Sequence, residues 1–498
     1  MASTEMIQIS QADYQALLAS KSDYEKLQKD YDSVRFELDQ LKRMIFGSKS
    51  ERFKPAMDPQ QLALFDIPSE EIEPQKEQIT YTRNKPTEDK KQPVRSELPA
   101  HLPRVEHVIE IEDLPEGAKK IGEETSEYLE YESPKLFVVK IIRPKYVVAS
   151  DDESTTIAIA PKPELPLPKS NAGAGLLTQL MISKYVDHLP FYRQVQMFKR
   201  LGVELSESTI SGWFRGTSEL LEPLYRELIK QLLDTDYLMA DETPIPVLTK
   251  DKPGSTHKGY HWVYNNPIRK MAAFDYQTSR GREGPRTFLK DYSGYLQTDG
   301  YTGYNNLSNP NITLMACMAH ARRKFDQAKG NDPARAEHAL GLFQELYAIE
   351  RTARDAQMDN EQTRLLRKEV AQPKLKEIKA WLDEEILLVA PASAIGKAMA
   401  YTLNLWPRLI RYLEQGRFHI DNNMIENIIR PVALGRKNYL FAGSHDAAQN
   451  AAIFYSFMAT CKLNDVNPEE WLRNTLSVIR TYPVEKLYEL LPNFVQNL

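Results

Sequence analysis

Three acidic residues stand in settings where a carboxylate could do chemistry. Asp241 closes the apolar run Tyr237-Leu238-Met239-Ala240, and Asp299 closes Gly294-Tyr295-Leu296-Gln297-Thr298 with Gly300 directly after it. Glu426 lies in Asp421-Asn422-Asn423-Met424-Ile425-Glu426, where a helix opens. Two aspartates at strand ends and a glutamate on a helix make an oxygen-only donor set suited to hard divalent cations. Mg²⁺ binds one or two carboxylates and keeps its waters. Two such ions, about 3.5–4 Å apart, stabilise the attacking and leaving oxygens of an in-line phosphoryl displacement. Mg²⁺ is therefore the expected cofactor, with Mn²⁺ as its substitute. The chain holds 69 Asp and Glu residues, so a single acid is by default a solvated charge or a cap. The flanking residues set these three apart.

Those flanks are Met239-Ala-Asp-Glu-Thr-Pro, Leu296-Gln-Thr-Asp-Gly-Tyr-Thr-Gly-Tyr-Asn, Ala319-His-Ala-Arg-Arg-Lys-Phe, and Asp421-Asn-Asn-Met-Ile-Glu-Asn followed by Leu434-Gly-Arg-Lys-Asn. In this order they resemble the DDE transposases of the insertion-sequence-66 type, from about residue 10 to the C-terminus. The resemblance implies a DNA transposase that cuts at transposon ends and joins the freed 3′-hydroxyl to target DNA. Asp241, Asp299 and Glu426 would be its catalytic, metal-holding residues. It also implies a homo-oligomer acting on end and target DNA, with accessory proteins encoded in the same element. That family has Arg after the glutamate where this chain has Asn427. Asp421, a natural N-cap, is the rival third ligand. A non-catalytic DNA-binding regulator and an RNase H-like nuclease or resolvase without strand transfer stay open as other functions.

Composition is that of a globular chain, 42% hydrophobic and 27% charged over 498 residues. A net charge of -5 gives no general affinity for nucleic acid, so phosphate contacts must be local. Arg322, Arg323, Arg430, Arg436 and Lys437 lie close in sequence to the acidic motifs and are the candidates, with His320 as a DNA-end contact or a structural loop residue. No apolar run approaches the roughly 20 residues that span a bilayer. The N-terminus has no basic stretch leading into an apolar core, so a cytoplasmic protein is expected. Cys317 and Cys461 are too few for a disulfide scaffold or a cysteine-rich zinc site.

The elements that must position the acids give a multidomain chain, mainly α, with an α/β RNase H-like catalytic core. Residues 10–50 form a coiled-coil helix, because Leu17, Tyr24, Tyr31, Leu38 and Ile45 recur every seven, with Leu27, Val34 and Leu41 between them. A helix packed on its own chain is the alternative. Residues 51–105, rich in Pro, Glu, Gln and Lys, form a flexible linker. Residues 106–160 form a small β-rich module with strands at 108–111 and 136–142. It resembles the family's zinc-binding domain without its cysteines, and no zinc is expected there.

After a proline spacer, 170–233 reads as a helix-turn-helix-like DNA-binding unit, with Gly202 in the turn and Ser206 capping a second helix over 206–215. Ser208, Thr209 and Arg215 would reach DNA, while Ile210 and Trp213 pack inward. Two packed bundle helices are the other reading. The core starts at 234–326, with strands ending at Asp241 and Asp299, two more at 261–264 and 271–276, and a fifth at 312–316. An all-α insertion fills 327–415, with a break near Pro373. The core helix with the third acid follows at 416–445, and a C-terminal helical region at 446–498. On the Glu426 helix, Asn422, Glu426 and Arg430 share a polar face opposite Ile425, Ile428, Ile429 and Val432. Gly435 and Gly443 would let its backbone approach a strand.

Overall fold

The computed structural model describes residues 136–149, 155–159, 161, 163–168, 170–249, 255–305 and 307–494. The helix expected at 10–50, the linker and the start of the β-rich module lie outside the described residues. Of that module, β1 (Lys145–Ala149) and β2 (Thr155–Ile159) pair antiparallel, Lys145 opposite Ile159. The expected strand at 136–142 is instead irregular and exposed, with Val138 93% accessible. Its apolar residues follow one another without alternation, so they define no single face to bury.

Three helices follow: α1 (Ala174–Tyr185), α2 (Phe191–Arg200) and α3 (Glu207–Leu233). Gly202, at φ +77°, makes the turn before α3. Ser206 caps α3, its Oγ accepting from the Thr209 N–H at 3.1 Å. Ile210 and Trp213 are buried, as their spacing predicts. The helix does not stop at Arg215, however. Leu221, Leu224, Leu228 and Leu232 continue the apolar stripe and are fully buried. That second half is fixed to the sheet: the Tyr225 hydroxyl donates to the Phe274 carbonyl at 2.5 Å, and the Asn266 amide to the Leu232 carbonyl at 3.0 Å. A 27-residue helix is thus half exposed head and half core element.

The sheet comprises β3 (Tyr237–Leu248), β4 (Thr256–Asn266), β5 (Met271–Gln277), β6 (Gly294–Thr298) and β7 (Ile312–Ala316), with α4 (Glu283–Phe288) between β5 and β6. Strand order is β5-β4-β3-β6-β7. The first three form an antiparallel meander, while β6 runs parallel to β3 and β7 parallel to β6. All five lie where the apolar runs predict. Asp241 does not end its strand, though: β3 continues seven residues to Leu248, through Pro244 and Pro246. Prolines are tolerated in a strand where their missing N–H faces an open edge. Pairing with β6 stops at Met239, and the Pro246 carbonyl turns outward to accept from the Ala442 N–H at 2.8 Å.

Next come α5 (Met318–Ala328), α6 (Pro333–Asp355), α7 (Asn360–Leu366), a π-helical turn at Arg367–Ala371, α8 (Gln372–Glu385) and α9 (Ala394–Leu409). The segment 327–415, expected as an all-α insertion, is helical wherever it forms regular structure. The break near Pro373 takes the form of the π turn just before it, because proline offers no N–H to the carbonyl four residues back. Then follow α10 (Asn423–Tyr439), α11 (His445–Leu463) and α12 (Pro468–Val478). Helix α11 seals the open edge of β5. Ser456 Oγ accepts from the Phe274 N–H at 2.8 Å, Thr460 Oγ1 accepts from the Ala272 N–H at 3.2 Å, and the Asn464 amide donates to the Lys270 carbonyl at 2.8 Å. Satisfying an edge this way removes a template for aggregation. It also makes 445–463 part of the core rather than an appended region.

Candidate active site

The strand register brings the two aspartates together. Met239 pairs with Gln297 across the parallel strands β3 and β6. Two residues further along each chain, just past the last paired residues, stand Asp241 and Asp299, near enough for the Asp299 charge to act on Asp241. The turn after Asp299 is tightly specified. Gly300 has φ +89°, and a Cβ there would lie 2.6 Å from Leu405 Cδ1 of α9. Tyr401, also on α9, donates its hydroxyl to the Asp299 carbonyl at 2.5 Å, and Asp299 Oδ1 accepts from the Tyr301 N–H at 2.7 Å. Helix α9 therefore braces the second aspartate directly.

Glu426 is brought in by the start of α10. Asn422 is its N-terminal flanking residue and is fully buried, not part of an exposed polar face. Its amide donates to the Ala240 carbonyl at 3.1 Å, and its N–H to Cys317 Sγ at 3.1 Å. Asp421 stands one residue before Asn422, where its carboxylate accepts from the Asn423 N–H at 3.1 Å and the Asn423 side-chain amide at 2.8 Å. Glu426 Oε1 accepts from Arg323 Nη2 at 3.1 Å and lies 4.0 Å from His320 Nε2, both on α5.

Burial first, then the charges of Glu242, Asp299 and Glu426, push the Asp241 carboxyl well above the ordinary carboxylate range, against the Glu242 N–H that bonds it. The Asp421 charge acts on Cys317, whose thiol burial and Asp421 push up to about 12. Among the described residues no three His, Cys, Asp or Glu side chains surround a common point closely enough to hold a metal ion, and Glu426 is turned onto Arg323. The donor set fits a divalent cation in kind, since it is all oxygen and its mutual repulsion is what a bound cation relieves.

Comparison with known proteins decides what this arrangement belongs to. The family described as Transposase IS66 family matches residues 169–450, the IS66 C-terminal element matches 456–493, and Transposase C of IS166 homeodomain matches 34–106. The chain belongs to the IS66 transposase family. Three relatives come from Sinorhizobium fredii (strain NBRC 101917 / NGR234) and are the uncharacterized proteins y4qI, y4hP and y4jD. Protein y4qI is 33% identical over 484 residues, 91% of this chain and 87% of its own length. Protein y4hP is 30% identical over 92% of this chain and 88% of its own length, and y4jD 30% identical over 94% and 96%. No solved structure matches the chain.

The remaining candidates of this IS66 transposase are spread more widely. His320, Arg322 and Arg323 share α5 and are partly buried, with His320 and Arg323 beside Glu426. Arg430 and Lys437 are exposed on α10, Lys437 about 16 Å along the helix from Glu426. Arg436 is held by the fold: it is partly buried, its guanidinium donates to the Pro244 carbonyl, and burial lowers its pKa. Gly435 gives room to the Tyr439 ring rather than to a strand, and Gly443 faces open space. The close approach to β3 is made at Ala442. Ser208, Thr209 and Arg215 are exposed on the head of α3, with Arg215 paired to Glu219 at 2.7 Å. Sequence reasoning passed over Glu242, Arg280, Tyr301 and Tyr401. Of these, Glu242 beside Asp241 and Tyr301 just after Asp299 carried a signal, since both lie within the acidic motifs.

Proposed function

We propose that this transposase works by a DDE mechanism on an RNase H-like core. It would cleave DNA at the ends of its element and transfer the resulting 3′-hydroxyl to a target strand. The meander of three antiparallel strands followed by two parallel ones supports the RNase H-like reading. The observation that carries the mechanism is that Asp241 and Asp299 both follow directly on the β3–β6 pairing, near enough for the Asp299 charge to act on Asp241, with the Glu426 helix pinned to Ala240. Asp241, Asp299 and Glu426 would hold two Mg²⁺ ions, which when bound supply activation of the attacking oxygen and stabilisation of the leaving one.

The chain's own residues bind and orient. Arg323 holds the Glu426 carboxylate until the site is loaded and then becomes available to a phosphate oxygen, with Arg322 and His320 on the same helix. In the first step a water oxygen bonds to the scissile phosphorus and the 3′-oxygen leaves with a proton. In the second, that 3′-oxygen attacks a target phosphodiester and displaces its 3′-oxygen. The exposed head of α3 would read end DNA through Ser208, Thr209 and Arg215, and Arg430 and Lys437 would contact the backbone. Action as a homo-oligomer in the cytoplasm, with accessory proteins of the same element, completes the reading. Among the described residues no helix is long and apolar enough to cross a membrane.

The test is Mg²⁺-dependent nicking and joining of DNA carrying the element's ends. Asp241→Asn, Asp299→Asn and Glu426→Gln should each bring both reactions to background while band-shift binding persists. Asp421→Asn should keep them. Normal nicking by any of the first three removes that residue from the site.

A further inference from the structure

Glu242 is an enclosed acid beside the site, its side chain 2% exposed. Successive strand residues point to opposite faces, so the Glu242 side chain leaves β3 on the other side from Asp241, although the Asp299 charge still acts on it. There its carboxylate takes Arg280 at 2.7 Å through Nε and 2.5 Å through Nη2, and accepts from the Tyr304 hydroxyl at 3.3 Å. Arg280 lies on the face of the Tyr301 ring, 3.9 Å from its centroid. The Tyr301 hydroxyl donates back to the Arg280 carbonyl at 3.0 Å. The Tyr301 N–H, in turn, is the donor to Asp299 Oδ1 at 2.7 Å.

We infer that Glu242 is a positioning residue for Asp299, acting through Arg280 and Tyr301 and not as a metal ligand. The path is continuous: carboxylate to guanidinium, guanidinium to ring, and the backbone of that same tyrosine to the aspartate. Tyr304 ties the far end of the same turn to Glu242, so the segment after β6 is gripped at both tyrosines. A guanidinium suits this role because it can donate in its plane while its face covers an aromatic ring. The inference rests on the reading of Asp299 as a catalytic carboxylate, because it assigns Glu242 the task of aiming it.

The experiment uses the full chain with end DNA and Mg²⁺, and compares Glu242→Gln, Arg280→Ala, the double variant and Asp299→Asn. Arg280 is half-exposed, so its variant folds whether or not Glu242→Gln does; melting temperatures are recorded for all. Each single variant should lower the rate at saturating DNA by about 10- to 100-fold, the scale of a small misplacement, with KM for DNA unchanged. The double variant should be no slower than the slower single, because both act on one path. Mn²⁺ binding without DNA, followed by electron paramagnetic resonance, should weaken to a similar degree in both singles. Several results overturn the inference: a normal rate in Arg280→Ala, multiplying losses in the double variant, a raised KM in place of a lowered rate, or weakened Mn²⁺ binding in Glu242→Gln alone. Normal nicking by Asp299→Asn would instead sink the reading of the site itself.

Discussion

The Asn422 side-chain amide donates to the Ala240 carbonyl at 3.1 Å, so the helix bearing Glu426 is fixed to the residue just before Asp241. Asp241 and Glu426, 185 positions apart in sequence, are thereby tied to one another. Asn422→Ala should leave the buried carbonyl without this donor and cost about 1–3 kcal/mol. Nicking should fall further than that loss of folded protein explains, because Glu426 loses its anchor. Denaturant titration beside cleavage rates, both on the same preparation, checks the two effects separately. Equal rates per folded molecule would make Asn422 a packing residue only.

Much of this was legible in the residues. The five strands announced themselves as short apolar runs, and the helices over 327–415 by their periodicity, since both signals are local. The length of β3 was hidden by Pro244 and Pro246, which read as a stop until the open edge beside them is known. The full extent of α3 was cut short at Arg215 because its second half only makes sense against the sheet. Asn422 was misplaced on the polar face by spacing alone; what turns it inward is the Ala240 carbonyl, which no local pattern reveals. Arg436 has the composition of a phosphate contact and the position of a brace.

Asp275 on β5 should make stability fall with pH. Burial raises its pKa from 3.8 to about 6, opposed by the Gln277 amide that donates to it at 2.7 Å. Between those two values the folded state binds more protons than the unfolded one. The contribution is therefore fully present below about pH 4 and is lost as pH rises through 6. Asp275→Asn should remove this slope and stabilise the protein at pH 7 by roughly 2–3 kcal/mol at most. Parallel melting curves at pH 4.5 and 7 decide it: an equal difference at both pH values refutes the assignment.

Arg367, in the π turn, holds the approach to the Glu426 helix. It is 3% exposed, pairs with Glu350 at 2.6 Å, and donates to the carbonyls of Tyr412, Gln415 and Phe418 at 2.8–2.9 Å. Arg367→Met should destabilise by about 3–5 kcal/mol, since it strands a half-buried carboxylate and several carbonyls. Adding Glu350→Leu should recover part of that loss. If the double variant is no more stable than the single, the cost comes from the carbonyls and not from the charge.

The head of α3 separates DNA reading from bundle packing. Ser208 and Thr209 are exposed, but their hydroxyls both lie 2.8 Å from Ser206 Oγ, so the first turn is organised around its cap before any ligand arrives. Arg215 is exposed and tied to Glu219 by an ion pair on the same helix, a pairing of small energetic weight. Arg215→Ala should thus leave the melting temperature within a degree or so, while weakening binding to end DNA. Its plot of log affinity against log salt should flatten by about 0.9, the signature of one lost phosphate contact on duplex DNA. Glu219→Ala should act in the opposite direction, by releasing the guanidinium and removing a charge that repels phosphate. Ser208→Ala and Thr209→Val should change the ratio of end to random binding if those hydroxyls meet base edges, and leave the salt slope alone. An Arg215→Ala protein that binds ends with the original slope would make the head of α3 a packing element and move end recognition to another surface.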